Sequence, residues 1–407
     1  MTWRAHQGNI IVGLDVGTTK MCAVVGEIVD GALEFRAVST SSSTGLRKGV
    51  VVNIEATVES IKNAVKTAEL STGVEINSVY VGISGGHIKG FNSYGAVGVR
   101  GKEVASIDVE RVIDSAKAVY VPLDREVLHV IPTGYTLDGQ NGIRDPIGML
   151  GVRLEAKVYI LTGAVTSVQN LLKCCEKAEI EVIDIVFEPL ASAEAILTDD
   201  EKELGVAIID IGGGTTDIIL YKDGWLRHSS VIAVGGNHFT NDIAVGLRLT
   251  VTEAERIKKS FGFTTISMVD ENEEIDIVQA GQARKILRRH LAEIIQPRSE
   301  ELMDMIKNEL ISCSGYEIAS TGVVLTGGGS MLEGIDRMAE AVLGLPVRIG
   351  FPREIKGCRE IISNPMYATG AGLVFFGFNT ESNRVFYHDT FTGIFGKMKD
   401  WVKGIFR

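Results

Sequence analysis

Ile11-Val12-Gly13-Leu14-Asp15-Val16-Gly17-Thr18-Thr19-Lys20 opens the chain, and Ala207-Ile208-Ile209-Asp210-Ile211-Gly212-Gly213-Gly214-Thr215-Thr216-Asp217 repeats its pattern in the second half. In each, an apolar run ends on an Asp, a Gly/Thr turn reverses the chain, and a second apolar run leaves at 21–25 or 218–220. The repeat predicts two similar half-domains facing each other.

Phosphate oxygens need closely approaching backbone N–H donors. Glycine permits the approach, threonine adds hydroxyls, and successive N–H groups form an anion-holding nest. Gly17, Thr18, Gly213, Gly214, Thr215 and Thr216 suit that role. Mg²⁺ keeps several waters and takes one or two carboxylates, so Asp15 and Asp210 are placed to hold its hydration shell from opposite sides, with Asp217 free to orient an attacking water. The alternative is a pair of plain hairpins whose glycines supply positive φ and whose aspartates cap turns. Two copies favour phosphate binding, as does a third Gly-rich turn at 326–330 suited to ribose and base. Neither GxxxxGK[ST] nor a helix-opening GxGxxG occurs. Gly82-Ile83-Ser84-Gly85-Gly86 matches the GxSxG of a nucleophile elbow, but a Gly/Ser-rich β pattern follows where an elbow needs a helix.

With 407 residues, 45% hydrophobic and 23% charged, the chain can bury a large core spread over about two or three domains. A net charge of -11 argues against a nucleic-acid partner, which would need a basic footprint. Cys22, Cys174, Cys175, Cys313 and Cys358 form no CxxC pair and no zinc spacing, and their odd number suits a reducing compartment. No export signal or membrane-spanning run is expected.

Strand patterns fall at 78–83, 127–131, 156–161, 181–186 and 322–325, and helical patterns at 50–69 (Asn53 as N-cap), 107–118, 165–177, 189–197, 240–260 and 280–307. Residues 85–101 are Gly/Ser-rich with short apolar alternation, and the acidic stretch 270–276 reads as a solvated hairpin or loop. Strands alternating with helices indicate an α/β sheet in each half. Residues 380–390 turn polar without period and read as a linker.

Beyond it, Ile394, Phe395, Met398, Trp401, Val402, Ile405 and Phe406 share one helical stripe, with Lys397, Lys399, Asp400, Lys403 and Arg407 opposite. An aromatic stripe facing a basic one is the composition of a helix lying in the interface of an anionic membrane; the alternative is a terminal helix docked on its own domain.

These features resemble the superfamily of actin, heat-shock chaperone ATPases and sugar kinases, whose α/β fold pairs two ribonuclease-H-like lobes around a nucleotide cleft. Phe187-Glu188-Pro189-Leu190-Ala191-Ser192-Ala193 and Ala368-Thr369-Gly370-Ala371-Gly372 are similar to its two connecting helices, and Thr252-Glu253-Ala254-Glu255-Arg256-Ile257-Lys258-Lys259 to its adenine-flanking helix. Within the superfamily the chain resembles the FtsA family of bacterial cell-division proteins over nearly its whole length. The most specific match is His129-Val130-Ile131-Pro132 through Asp138 to Glu155, an insert that actin lacks.

The resemblance implies a cofactor pair, ATP and Mg²⁺. Its site is Asp15, Gly17, Thr18, Thr19, Lys20, Asp210, Gly212, Gly213, Gly214, Thr215, Thr216, Gly235, Gly236, Glu255, Lys258, Lys259, Gly327, Gly328, Gly329 and Met331, with Glu188 and Asp217 orienting water. It divides the chain into a first lobe (1–84, 166–195, 362–379) with an insert (85–165), and a second lobe (196–227, 306–361) with a helical/β subdomain (228–305). A linker (380–392) and the membrane helix (393–407) follow. It further implies head-to-tail polymers, recognition of the FtsZ C-terminal peptide around 296–306, other division proteins as partners, and a peripheral place on the cytoplasmic face of the inner membrane at the septum. ATP would act mainly as a conformational ligand with very slow hydrolysis. A pilus-assembly relative and a sugar-kinase-type phosphotransferase are the alternatives; a chaperone would need a peptide-binding domain after the second connector, where little chain remains.

Overall fold

The computed structural model describes residues 9–386. The candidate membrane helix at 393–407, with the end of the candidate linker, lies outside the described residues. From the N-terminus, β1 (Ile10–Val16), β2 (Lys20–Val29) and β3 (Ala32–Ser42) form an antiparallel meander. A small hairpin, β4 (Leu46–Arg47) and β5 (Val50–Val51), leads into α1 (Ile54–Thr72) and β6 (Ser78–Ile83), which lies parallel to β1. Asn53 does cap α1, accepting from the Ala56 N–H, and Gly73 ends it at φ 71°.

The insert follows as β7 (Lys89–Gly98), α2 (Ser106–Lys117), β8 (Arg125–Leu137), β9 (Gln140–Ile143) and β10 (Arg153–Ala164), in the sheet order β7-β10-β8-β9. Its own small core gathers Val104, Val112, Tyr135, Leu137, Leu154 and Ala156. The 138–155 stretch is built around Asp138: with Gly139 it makes the β8–β9 turn, and its carboxylate accepts from the Val152 and Arg153 N–H groups.

Then α3 (Val165–Lys177) and β11 (Glu181–Phe187) complete the first sheet, in the order β11-β6-β1-β2-β3. The first connector, α4 (Glu188–Ile196), and a short α5 (Asp199–Leu204) lead to β12 (Val206–Ile211), β13 (Thr216–Lys222) and β14 (Trp225–Ile232). Next come α6 (Gly236–Leu247), α7 (Val251–Phe261), the hairpin β15 (Glu274–Gln279) and β16 (Gln282–Leu287), α8 (Arg288–Ser312) and α9 (Gly315–Ile318). The described residues end with β17 (Val323–Thr326), α10 (Ile335–Leu343), β18 (Val347–Ile349), α11 (Arg359–Ile362) and α12 (Ala368–Phe386).

The second large sheet runs β14-β13-β12-β17-β18: three antiparallel strands, then two parallel ones, the same plan as the first. The duplicated α/β architecture expected from the repeated motif is therefore present. Each lobe has its own core, one centred on Leu14, Val24, Ile61, Val81 and Ala371, the other on Ile209, Leu220, Ile257, Leu302 and Leu325. The connectors α4 and α12 cross at small residues: a Cβ on Gly372 would stand 1.8 Å from the Ala191 carbonyl oxygen, so only glycine fits there.

Three local expectations need correction. Residues 240–260 are two helices, because Arg248 turns left-handed at φ 52° and the Thr250 hydroxyl caps α7 by accepting from the Glu253 N–H. Residues 280–307 are not all helical. Ala280 and Gly281 (φ 50° and 79°) reverse the chain, and strand pairing overrides the helix propensity of Gln282-Ala283-Arg284-Lys285 before α8 begins at Arg288. The acidic stretch is the other arm of that hairpin, and Ile275 and Ile277 on its inner face are buried. Finally, residues 380–386 continue α12 rather than forming a linker. No proline or glycine interrupts that segment, and the Thr380 hydroxyl bonds back to the Phe376 carbonyl. Among the described residues, no helix is long and apolar enough to cross a membrane.

Candidate nucleotide site

The two turns meet each other. A Cβ on Gly213 would fall 1.8 Å from Thr19 Oγ1, and one on Gly214 would fall 2.7 Å from Thr18 Oγ1, so the second turn can approach the first only as glycine. Thr19 Oγ1 also donates to Asn237 Oδ1 at 3.3 Å. The second turn is closed by Gly212 N–H to the Thr215 carbonyl (2.9 Å), and the start of α6 is laid against it: Gly236 N–H bonds the Gly212 carbonyl and Asn237 N–H the Gly213 carbonyl. Gly235 lies so near Gly212 that a Cβ there would stand 2.5 Å from the Gly212 oxygen.

Asp15 ends β1 and Asp210 sits near the end of β12; Asp217 follows on β13, and Glu188 is the first residue of α4. Lys20 Nζ bonds Asp15 Oδ2 at 2.8 Å. Burial disfavours the ammonium, but Asp15, Cys22 and Asp210 together outweigh it and hold the Lys20 pKa above the usual lysine range. Asp210 is raised by burial, while the Ser192 hydroxyl, donating to Oδ2 at 2.7 Å, and Thr369 Oγ1 at 3.3 Å work against the rise. Asp217 is pushed up to about 8 by burial, partly opposed by Ser84. Glu188, half-buried, is raised well above the carboxylate range by burial and then by the charges of Asp15, Asp217 and Asp210. Four acids share this region with one lysine, and a cation brought among them would favour their ionised forms. Among the described residues, no three His, Cys, Asp or Glu side chains converge closely enough to ligate a metal directly.

On the side expected for the base, Lys258 Nζ reaches Glu255 Oε2 (2.7 Å), Thr240 Oγ1 (2.9 Å) and the Gly236 carbonyl (3.1 Å), tying α7 to the turn. Lys259 stands on the exposed side of α7, bonded to Glu255 Oε1 at 3.2 Å. The third turn leaves β17, which runs beside β12 with Asp210 opposite Thr326. Gly327, at φ 81°, backs directly onto Asp210: a Cβ there would stand 2.2 Å from Oδ1. A Cβ on Gly328 would stand 3.9 Å from the Met366 side chain, Gly329 packs on Ile211, and Met331 is exposed at the outer end of the turn.

Sequence reasoning missed the hydroxyls that hold these acids. Ser192 and Thr369 lie in the two connector motifs, and their common bond to Asp210 was signalled only by a hydroxyl in each helix at the crossing. Ser84 donates to Asp217 Oδ1 at 2.6 Å. Gly49, at the tip of the β4–β5 hairpin, donates its N–H to Thr18 Oγ1 at 3.0 Å. The GxSxG match contains no elbow, since β6 passes through a turn into β7 with no helix between them.

Comparison with known proteins agrees with this architecture. A family model described as cell division protein FtsA matches residues 207–372, and one described as the SHS2 domain inserted in FtsA matches residues 85–162. Cell division protein FtsA of Pseudomonas aeruginosa is 44% identical over 98% of this chain and 99% of its own, and that of Escherichia coli is 38% identical over 93% of both. Among solved structures, a PilM-PilN type IV pilus biogenesis complex matches with a TM-score of 0.66 at 17% identity, covering 90% of this chain and 98% of that one. MreB5 of Spiroplasma citri bound to ADP matches at 0.55 and 18% identity, covering 92% and 98%. These distant likenesses speak to the actin-like fold alone. Identity at this level along nearly the full length places the chain in the FtsA family of cell-division proteins.

Proposed function

We propose that this protein is an ATP-binding, actin-like cell-division scaffold that polymerises at the cytoplasmic face of the inner membrane and tethers the FtsZ ring there. The observation carrying this reading is the meeting of two Asp-led turns at one cleft, with Asp15, Asp210, Asp217 and Glu188 facing Lys20. Backbone donors at 213–215 would grip the phosphates, and Asp15 and Asp210 would hold Mg²⁺ through water. Because Thr18 and Thr19 touch Gly213 and Gly214, nucleotide entry parts the turns, and ATP biases the angle between lobes by its differential affinity for the two arrangements.

The FtsZ C-terminal peptide is assigned to the α8 region at 296–306. There Leu302, Met303 and Ile306 point inward, and the outer face carries Arg298, bonded to Asp242, with Glu300, Glu301 and Asp304. Anionic lipid is assigned to the stripe at 394–406. Hydrolysis is expected to be very slow, ATP serving as a retained ligand.

Calorimetry of the full chain with ATP and Mg²⁺ should give saturable uptake at one site, and sedimentation with anionic vesicles should recover the full chain but not one truncated at residue 392. Absence of nucleotide uptake refutes the cleft assignment, and equal sedimentation of the truncated chain refutes the tether. A pull-down on immobilised FtsZ C-terminal peptide tests the partner: no capture of the full chain removes that assignment.

A further inference from the structure

The segment Gly82-Ile83-Ser84-Gly85-Gly86 is not an elbow, yet it sits where the first lobe meets the second. Ser84 and Asp217 are each 4% exposed and come from opposite lobes, and the serine hydroxyl donates to Asp217 Oδ1 at 2.6 Å. The other carboxylate oxygen, Oδ2, has only Thr215 Oγ1 at 3.5 Å and so keeps acceptor capacity to spare. Two residues before Ser84, Gly82 lies against Glu188: a Cβ there would stand 2.8 Å from Cγ and 3.1 Å from Oε1. On the far side, a Cβ on Gly49 would meet the Ser84 carbonyl oxygen at 2.6 Å, and Gly49 in turn holds Thr18 of the first turn. This one strand end therefore touches both candidate water-orienting acids and, through Gly49, a phosphate turn.

A small recess of about 10 Å³ adjoins Ser84 and Glu188 on the side away from Asp217, with Gly82, His87 and Ser167 also among its lining. That is room for about one water. His87 Nε2 is buried there without a hydrogen-bond partner, and Glu188 supplies a carboxyl on the same wall.

We propose that Ser84 is a positioning residue for nucleotide hydrolysis: it fixes Asp217 by one oxygen so that the other is presented to water in the cleft. Gly82 leaves Glu188 its place beside Asp217. This role rests on the nucleotide reading given above. A serine that only fastened the lobes would change stability and nucleotide affinity together, whereas a positioning serine changes the chemical step at constant affinity.

The test uses the full chain with Ser84→Ala, Ser84→Thr and Gly82→Ala, following ATP affinity by calorimetry, single-turnover phosphate release over hours, and urea unfolding. Ser84→Ala should slow phosphate release about tenfold or more, within the range a single oriented acid–base group contributes, with ATP affinity within about twofold of wild type. Ser84→Thr, which keeps the hydroxyl, should restore the rate, and Gly82→Ala should slow it by displacing Glu188. An unchanged rate in Ser84→Ala, or a fall that merely tracks lost affinity and stability, overturns the positioning role while leaving nucleotide binding intact. Failure of the wild-type chain to take up ATP overturns the nucleotide reading itself, and this role with it.

Discussion

The first and second turns end the same strand plan but handle their aspartates differently. Asp15 is neutralised locally by Lys20, five residues on, at the start of the next strand. Among the described residues no cation is bonded to Asp210; its Oδ2 accepts from Ser192 and Thr369, one hydroxyl from each connector helix. The first turn thus carries its own counter-charge, while the second is wired to the crossing of α4 and α12. Duplication of a fold conserves strand order, because order follows from which apolar faces must be covered. Charge compensation is free to differ, since any donor within reach will serve.

The contact between the turns gives the largest expected effect. Thr18→Cys with Gly214→Cys brings two thiols together: a Cβ on Gly214 would stand 3.1 Å from Thr18 Cβ, shorter than the roughly 3.5–4.5 Å of ordinary disulfides, so the turns must part by a few tenths of an ångström for the bond to close. Oxidation should lock the lobes and lower ATP uptake more than about 100-fold relative to the same variant kept reduced, a difference of roughly 3 kcal/mol. Normal uptake by the cross-linked protein would show that nucleotide does not pass between the turns.

The lobes also differ in how the insert grips them. On the second lobe, Tyr159 OH accepts from the Ser229 N–H at 3.0 Å. On the first, His129 Nε2 accepts from the Phe187 N–H at 3.0 Å, beside Glu188, and burial lowers the His129 pKa from 6.5 to about 4. A histidine depressed in the folded state contributes stability that is present above pH 6.5 and lost as pH falls through about 4. The loss is up to about 3 kcal/mol. Urea unfolding at pH 6.5 and pH 4 should therefore show a steeper acid loss for wild type than for His129→Gln, with parallel curves as the contrary result.

The aspartates supply the finest comparison. Lys20→Met leaves Asp15 among three other acids without its partner and should cost about 2 kcal/mol in urea unfolding, below the full penalty for breaking a buried pair because Lys20 retains some solvent access. Ser192→Ala removes one of two hydroxyls from Asp210 and should cost about 1 kcal/mol. Equal losses would mean that the turns are held alike after all.

Much of the architecture was legible because it is local. The Asp-led turns, the Asn53 cap and the alternation of strands with helices each occupy a few consecutive residues. The third strands, β3 and β14, were overlooked although Asp30-Gly31 and Asp223-Gly224 mark their hairpins, both residues of each pair having positive φ. Residues 282–287 looked helical because their propensities favour helix; only pairing with β15 makes them a strand.

By itself, the sequence determined the duplicated half-domains, the glycines on which the turns depend, the acids of the cleft and the apolar–basic stripe at 394–407. Folding alone decided who holds those acids. Ser84 reaches Asp217, Ser192 and Thr369 reach Asp210, and Gly49 reaches Thr18 across separations no spacing rule can predict. A turn is fixed by the backbone freedom of adjacent residues, whereas a hydrogen bond between lobes exists only once two separately formed cores have been brought face to face.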